Sequence, residues 1–311
     1  MRTSKPKAVT GAAAGLALGV MVVWAGGGGT GAAGRAASSG DRPVAATGDE
    51  LLHRASERLI ARCMARAGFA YTEQPPPSPA EPVARQVLGD VEWARRHGYG
   101  LLPDGPGSGD QDSNSRHLAG LTPEGRNAWY GRLMGSGRRL VVELPGAGRL
   151  SASDNGCVAE ARRALYGDLA GWYRARRIVD HLDGYAAREM TRTPRYRAGL
   201  AAWAGCVRER GYAVSSPREL RRLATPGTPA PVGGQAKARE IAAAVAEAEC
   251  ATSTGFSRAA DALHRRYRTE IEGRFARELD ALKSYERDAA PRARRILADS
   301  QRHGTVRPEQ P

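Results

Sequence analysis

Cys63-Met64-Ala65-Arg66-Ala67-Gly68-Phe69 and Cys206-Val207-Arg208-Glu209-Arg210-Gly211-Tyr212 are two copies of one pattern. A cysteine ends an apolar-periodic run, glycine follows five residues later, and an aromatic residue comes directly after the glycine. Leu52, Ala55, Leu59 and Cys63 lie three or four residues apart, which predicts an amphipathic helix from about Asp49 with Cys63 on its inner face. Tyr196, Leu200, Trp203 and Cys206 repeat that spacing. Glycine accepts the left-handed conformation that stops a helix, so Phe69 and Tyr212 are expected to fold back as caps on their own helices. One further cysteine follows each copy, Cys157 and Cys250. Four cysteines allow three connectivities. The repeat selects Cys63 with Cys157 and Cys206 with Cys250, two cross-links each worth at most ~4 to 5 kcal/mol on the chain-entropy estimate.

Such cross-links belong in an oxidising space, and the chain begins accordingly. Arg2, Lys5 and Lys7 precede an apolar run from Ala8 to Ala25, followed by glycines 26 to 29 and small residues through Ala33. Residues 1–34 therefore read as a signal peptide or an uncleaved membrane anchor, with Gly31 and Ala33 suited to a signal-peptidase site. No cysteine lies there to accept a lipid. Residues 35–47 are small and polar and predict a flexible linker. The expected location is extracytoplasmic, either secreted or anchored to the outer face of the membrane. The membrane is touched only through the N-terminal segment, if that segment is retained.

The formal charge is +14. Among 47 cationic residues the only lysines are Lys5, Lys7, Lys237 and Lys283, a skew that reads, with the abundant alanine and glycine, as the codon composition of a high-GC genome. The cations are dispersed, which argues against a nucleic-acid partner. They favour a solvated basic surface able to lie near an anionic cell-envelope surface or another envelope protein.

Between the cysteine motifs the chain reads as helix after helix. The prolines at 75, 76, 77, 79 and 82 precede an amphipathic helix through Val87, Val91 and Trp93 to about His97. Residues 100–121, rich in Gly, Ser and Asp, predict a disordered surface loop. Thr122-Pro123-Glu124 has the chemistry of a helix start, with Trp129, Tyr130, Leu133 and Met134 as the buried side. Leu140 to Leu144 is the one extended run and needs a partner such as Gly148 to Ser151. Asp154 or Asn155 can cap a long core helix carrying Cys157, Ala161, Leu165, Leu169, Trp172, Val179, Leu182 and Ala186, which Pro194 ends. Ser216-Pro217-Glu219 forms a capping box. A helix through Ile241, Val245 and Ala248 delivers Cys250. Phe256, Ala260, Leu263, Tyr267, Ile271, Phe275, Leu279, Leu282 and Tyr285 then mark one stripe of a long terminal helix that Pro291 interrupts, with fraying after Ala298.

The expected fold is mainly α, an irregular helical bundle with at most a minor β-hairpin and two disulfides. Residues 48–192 make a first disulfide-tied half and residues 193–298 a second, leaving 299–311 as a disordered tail.

No catalytic constellation emerges. The histidines (His53, His97, His117, His181, His264, His303) lack the i, i+4 pairing of a zinc site, and the cysteines lack the close pairs of a zinc ribbon. Asp110, Asp112 and Asn114 alternate like calcium ligands, but Ser115 replaces the turn glycine and Leu121 the final glutamate, which leaves a solvated polar loop. No nucleophile elbow or phosphate loop is present. Glu270, Glu272 and Asp261 read as solvated, weakly paired charges. Trp93, Trp129, Trp172 and Trp203 fall on apolar faces and read as core, Trp203 covering the second disulfide. No metal or cofactor is expected.

The two Cys-x4-Gly-aromatic motifs, Gly98-Tyr99-Gly100, Trp129-Tyr130, Gly156-Cys157 with Leu165-Tyr166-Gly167, and Ala248-Glu249-Cys250 before the terminal helix together resemble a group of exported actinobacterial proteins. That group has paired cysteines and a long C-terminal helix, and no activity is assigned to it. The resemblance spans about residues 50 to 290, supports the same cysteine pairing and brings no catalytic residues. The expected function is thus a non-catalytic, envelope-associated binding or structural protein. The alternatives are a cell-envelope hydrolase with an unrecognised carboxylate site, or a helical subunit of an envelope complex that docks through its terminal helix.

Overall fold

The computed structural model describes residues 48–76, 89–102, 113–225 and 234–303. The apolar run 8–25, the linker, Val87, Asp110, Asp112 and the last eight residues lie outside them. Helices dominate: α1 (Gly48–Arg66), α2 (Val91–His97), α3 (Ser113–Ala119), α4 (Pro123–Met134), then strands β1 (Arg139–Leu144) and β2 (Gly148–Ser153). Eight more helices follow: α5 (Cys157–Tyr166), α6 (Leu169–Val179), α7 (Leu182–Thr191), α8 (Pro194–Glu209), α9 (Pro217–Ala224), α10 (Gly234–Ser253), α11 (Phe256–Arg274) and α12 (Ala276–His303). The fold is mainly α with one antiparallel hairpin, registered from Arg139 opposite Ser153 to Leu144 opposite Gly148.

The duplicated motif is a Schellman ending in both copies. The Phe69 N–H donates to the Met64 carbonyl and the Gly68 N–H to that of Ala65; Tyr212 donates to Val207 and Gly211 to Arg208. The residue after each cysteine, Met64 or Val207, is fully buried, and the post-glycine aromatic packs onto the same cluster. That apolar contact normally accompanies the motif. Gly68 and Gly211 adopt φ of 80° and 88°. Both disulfides form as the repeat indicates, Cys63 with Cys157 and Cys206 with Cys250, at Cα separations of 5.5 and 5.7 Å.

Helix starts follow one recipe. Thr122, Thr193 and Ser216 each precede a proline and accept from the N–H three residues on. Proline at the first helical position gives up an N–H that has no partner in the helix anyway. The Ser216–Glu219 box forms as expected: the Ser216 hydroxyl accepts from the Glu219 N–H, and the Glu219 carboxylate turns back to the Ser216 backbone while its Oε2 also accepts from the N–H and hydroxyl of Ser215.

Several expectations are corrected. The long helix from Cys157 is three helices. Gly167 (φ 75°) ends α5 and Asp168 caps α6, its Oδ1 accepting from Gly171 N–H at 3.0 Å, while Asp180 and His181 separate α6 from α7. Neither Asp154 nor Asn155 caps α5. Gly156 does, with φ of 89°, and its backbone lies against Gly135 so closely that a Cβ would meet the Gly135 nitrogen at 2.5 Å. Tyr130 and Met134 are about half exposed, leaving Trp129 and Leu133 as the inner side of α4. The loop 100–121 contains α3, and Tyr99 and Leu102 at its approach are buried. The terminal stripe bends at Phe275, which separates α11 from α12. Pro291 does not interrupt α12, and the helix runs on to His303. Its ring lies on the exposed face, and Ala289 and Ala293 beside it are fully buried, so packing outweighs the lost hydrogen bond.

Packing crosses residue 192 in both directions. α2 packs with α8, α9 and α10 around Trp203, Phe256, Leu220 and the second disulfide. α12 crosses back to join α1, α5, α6 and the hairpin around Leu165, Trp172 and Ile178. The first disulfide sits in its own cluster with Met64, Trp129 and Leu118, and α7 meets α11 through Leu182, Tyr185 and Ile271.

Gly68→Ala and Gly211→Ala should each lower stability by about 1 kcal/mol, since a Cβ meets nothing at either site and only the left-handed backbone opposes it. Gly131→Ala, on the exposed face of α4, should instead raise stability by about 0.5 to 1 kcal/mol. Urea unfolding monitored by circular dichroism checks all three.

Candidate functional site: the charged face of α10

α10 is rich in alanine, with small residues at 243, 244, 246, 248 and 251 that let neighbouring elements approach its axis closely. Among them stand two carboxylates with no solvent exposure at all, Glu240 and Glu247. Seven residues apart, they share one face with Cys250. A buried carboxylate must find a cation or donors.

Glu240 finds both. Its Oε2 lies 3.3 Å from Lys237 Nζ, and its Oε1 accepts from the Leu101 backbone at 2.7 Å. Lys237 also donates to the carbonyls of His97 and Leu102 at 2.8 and 2.9 Å. Gly98 rests on the Glu240 side chain, and an added Cβ there would come within 3.1 Å of it. One Lys–Glu pair thus clamps the irregular segment 97–102 onto α10.

Glu247 accepts from Arg221 of α9 at 2.7 Å, and that guanidinium lies 5.3 Å from the centre of the Tyr99 ring. Burial, and then the Glu247 charge, push the Tyr99 phenol well above the ordinary tyrosine range, and the same two causes raise Tyr196. Trp203 Nε1 donates to the Glu247 carbonyl at 3.3 Å within the cluster that holds the second disulfide. The α10 face therefore fastens α2, α8 and α9 at successive turns. Such an arrangement positions segments. With both carboxylates sealed and committed to cations, it offers a substrate no reacting atom.

Each disulfide is flanked by an arginine–glutamate pair. Arg132 lies 3.2 Å from Glu160 and 3.0 Å from Cys63 Sγ. Glu249 takes Arg210 in close contact and Arg95 at 3.2 Å. These two partners hold the Glu249 carboxyl below the usual carboxylate range, Arg210 contributing most.

The remaining sequence candidates scatter. Trp129, Trp172 and Trp203 are buried and Trp93 half-buried against His97. Asn114 is no solvated loop residue: it is buried, accepting from Thr72 N–H and donating to the Thr72 carbonyl, both at 2.8 Å. Glu270 pairs with Arg266, and Glu272 with Arg268, one helical turn away on the surface. Among the described residues no three His, Cys, Asp or Glu side chains gather as a metal site, and no helix is long and apolar enough to cross a membrane. Sequence reasoning missed Glu240, Glu247, Arg221 and Lys237. Their signal was present only as i, i+7 spacing of acids among alanines.

No protein-family model, no curated protein and no solved structure matches this chain.

Arg221→Met should cost on the order of 3 kcal/mol, because it leaves Glu247 charged and sealed, whereas Arg221→Met combined with Glu247→Met should cost less than the single change. Thermal and urea unfolding of the pair complete the cycle. Glu249 contributes stability that is present above its unfolded value of 4.5 and is lost as pH falls through its lower folded value. Glu249→Gln should therefore lower stability at neutral pH and converge with the unmodified protein at acid pH, which flattens the profile below pH 4.5; urea midpoints across about pH 2 to 7 read the difference.

Proposed function

We propose that this protein is a non-catalytic binding or structural module of the cell envelope, working outside the cytosol as a secreted chain or anchored by its N-terminal segment. The observation that carries this reading is the pair of disulfides that engage all four cysteines, with Cys63, Cys157 and Cys250 buried. Paired thiols persist in an oxidising compartment, and both cross-links here join helix ends in packed clusters, where they maintain the fold. The basic, apolar start of the chain and the surplus of arginine support the same reading. The hydrolase alternative gains nothing from the α10 carboxylates, both enclosed. Docking through the terminal helix gains nothing from Leu282, Ala289 and Ala293 of α12, which are spent on contacts within the chain.

Expression of the full chain in a bacterial host, followed by fractionation and non-reducing peptide mapping, tests the proposal. The expected result is a chain outside the cytosol, shortened near residue 33 or retained at the membrane, yielding linked 63–157 and 206–250 peptides. A cytosolic chain with four alkylatable thiols would overturn it.

A further inference from the structure

Where α5, α6 and the start of β1 meet, arginines crowd around a buried phenol. Tyr173 is buried, and Arg177, Arg162 and Arg139 all act on its hydroxyl as nearby positive charges. The Arg177 guanidinium lies 5.7 Å from the Tyr173 ring centre, and Arg162 lies 5.1 Å from the centre of the buried Trp172 ring, whose other neighbour is Tyr166, stacked at 4.5 Å.

Carboxylates are short here. Asp180 is divided between Arg176, at 2.8 Å, and Arg177, at 2.7 Å, and Glu286 lies 3.7 Å from Arg176. Among the described residues, Arg139 donates to the carbonyl and hydroxyl of Ser151 alone. Arg162 has no carboxylate among the described residues. Two sealed donors in the same cluster, Trp172 Nε1 and Arg177 Nε, find no acceptor among the described residues. Burial and the charge of Arg177 press the Arg162 guanidinium down to about 10, the mark of a cation whose compensation is missing. Guanidinium forks with a hydroxyl and aromatic flanks are what an oxyanion requires, since two or more planar donors can meet its oxygens together.

We propose that Arg139, Arg162, Arg177 and the Tyr173 hydroxyl, on the Trp172 platform, form a binding site for a phosphate-class oxyanion. Free phosphate and a phosphate group carried by a lipid headgroup present the same oxygens, and the chemistry of capture is the same. The site does not depend on export, so failure of the envelope reading and failure of this one are separable.

Inorganic phosphate is titrated into the full chain at constant ionic strength, with chloride as the matched control, and the tryptophan fluorescence and melting temperature are followed. A parallel arm measures co-sedimentation with phosphatidylglycerol vesicles against phosphatidylcholine vesicles. A saturable phosphate response assigns the free ion, and selective vesicle binding assigns the headgroup. In either arm Arg162→Met should weaken binding about tenfold and Tyr173→Phe less. Arg162→Lys, which keeps the charge but loses the fork, should fall between wild type and Arg162→Met. Absence of both responses in the unmodified protein overturns the proposal whatever the variants do. So does an Arg162→Lys chain, folded by circular dichroism, that binds as tightly as wild type.

Discussion

Two carboxylates sealed on one face of α10 constrain the architecture around the second disulfide. An ionised group without exposure is tolerated only when cations and donors reach it, and beside Lys237 of α10 itself these come from segment 97–102 and from α9. Glu240 calls in Lys237 and the backbone of Leu101; Glu247 calls in Arg221. The positions of segment 97–102 and of α9 follow. Neither carries a long apolar face of its own: segment 97–102 buries Tyr99 and Leu102, and α9 buries Pro217, Leu220 and Ala224. Buried ion pairs contribute little net stability compared with apolar packing, but they penalise every misplaced arrangement heavily. Here that property selects one docking of short, weakly apolar elements.

The same logic recurs near the first disulfide in neutral form. The chain leaving Gly68 has no regular structure through residue 76, yet it is fixed throughout. Trp129 Nε1 donates to the Ala70 carbonyl at 2.9 Å, Asn114 satisfies both backbone groups of Thr72, and Glu57 accepts from the Tyr71 hydroxyl and the Gln74 N–H. In each cluster the Schellman turn reverses the chain, a disulfide fixes the helix within a turn of that reversal, and buried polar side chains supply the hydrogen bonds that irregular backbone needs. The duplication therefore extends beyond the cysteine motif to the way an irregular segment is held, although one cluster uses buried ion pairs and the other an indole, an amide and the Glu57 carboxylate.

Much of the fold was legible in the sequence. Periodicity located α1, α8 and α10, proline-based caps located α4 and α9, and the repeat paired the cysteines. The errors have physical causes. Leu165, Leu169 and Trp172 keep helical spacing across Gly167 and Asp168, so periodicity alone overran a break whose glycine and cap were in plain view. α3 offers a single buried apolar residue, Leu118, and owes its place to Asn114, a residue type that reads as loop. Pro291 marked an end by local rules, but α12 is held from both sides of it by buried alanines. Glu240 and Glu247 escaped notice because acids on an alanine helix ordinarily face water; only the tertiary approach that alanine permits turns that face inward. Tyr130 and Met134 failed for the opposite reason, since α4 has too few neighbours to cover a second apolar side.

The surplus of arginine takes on meaning only position by position. On α11 the Arg266–Glu270 pair lies at the surface, where solvent and salt leave an ion pair little net worth, whereas Arg268 divides itself between Glu272 and Asp183 of α7 and so ties two helices. Arg221 and Arg132 differ in that each neutralises a carboxylate beside a disulfide cluster. Arg162 belongs to neither group. Its stem is drawn into the core beside Trp172, which stabilises the guanidinium through the ring face, but cation–π attraction of about 1 to 2 kcal/mol does not replace a counter-ion when two further arginines stand nearby. The convergence of Arg177, Arg162 and Arg139 on the buried Tyr173 phenol separates this cluster from Arg266 and Arg268 of α11, which meet carboxylates one turn away.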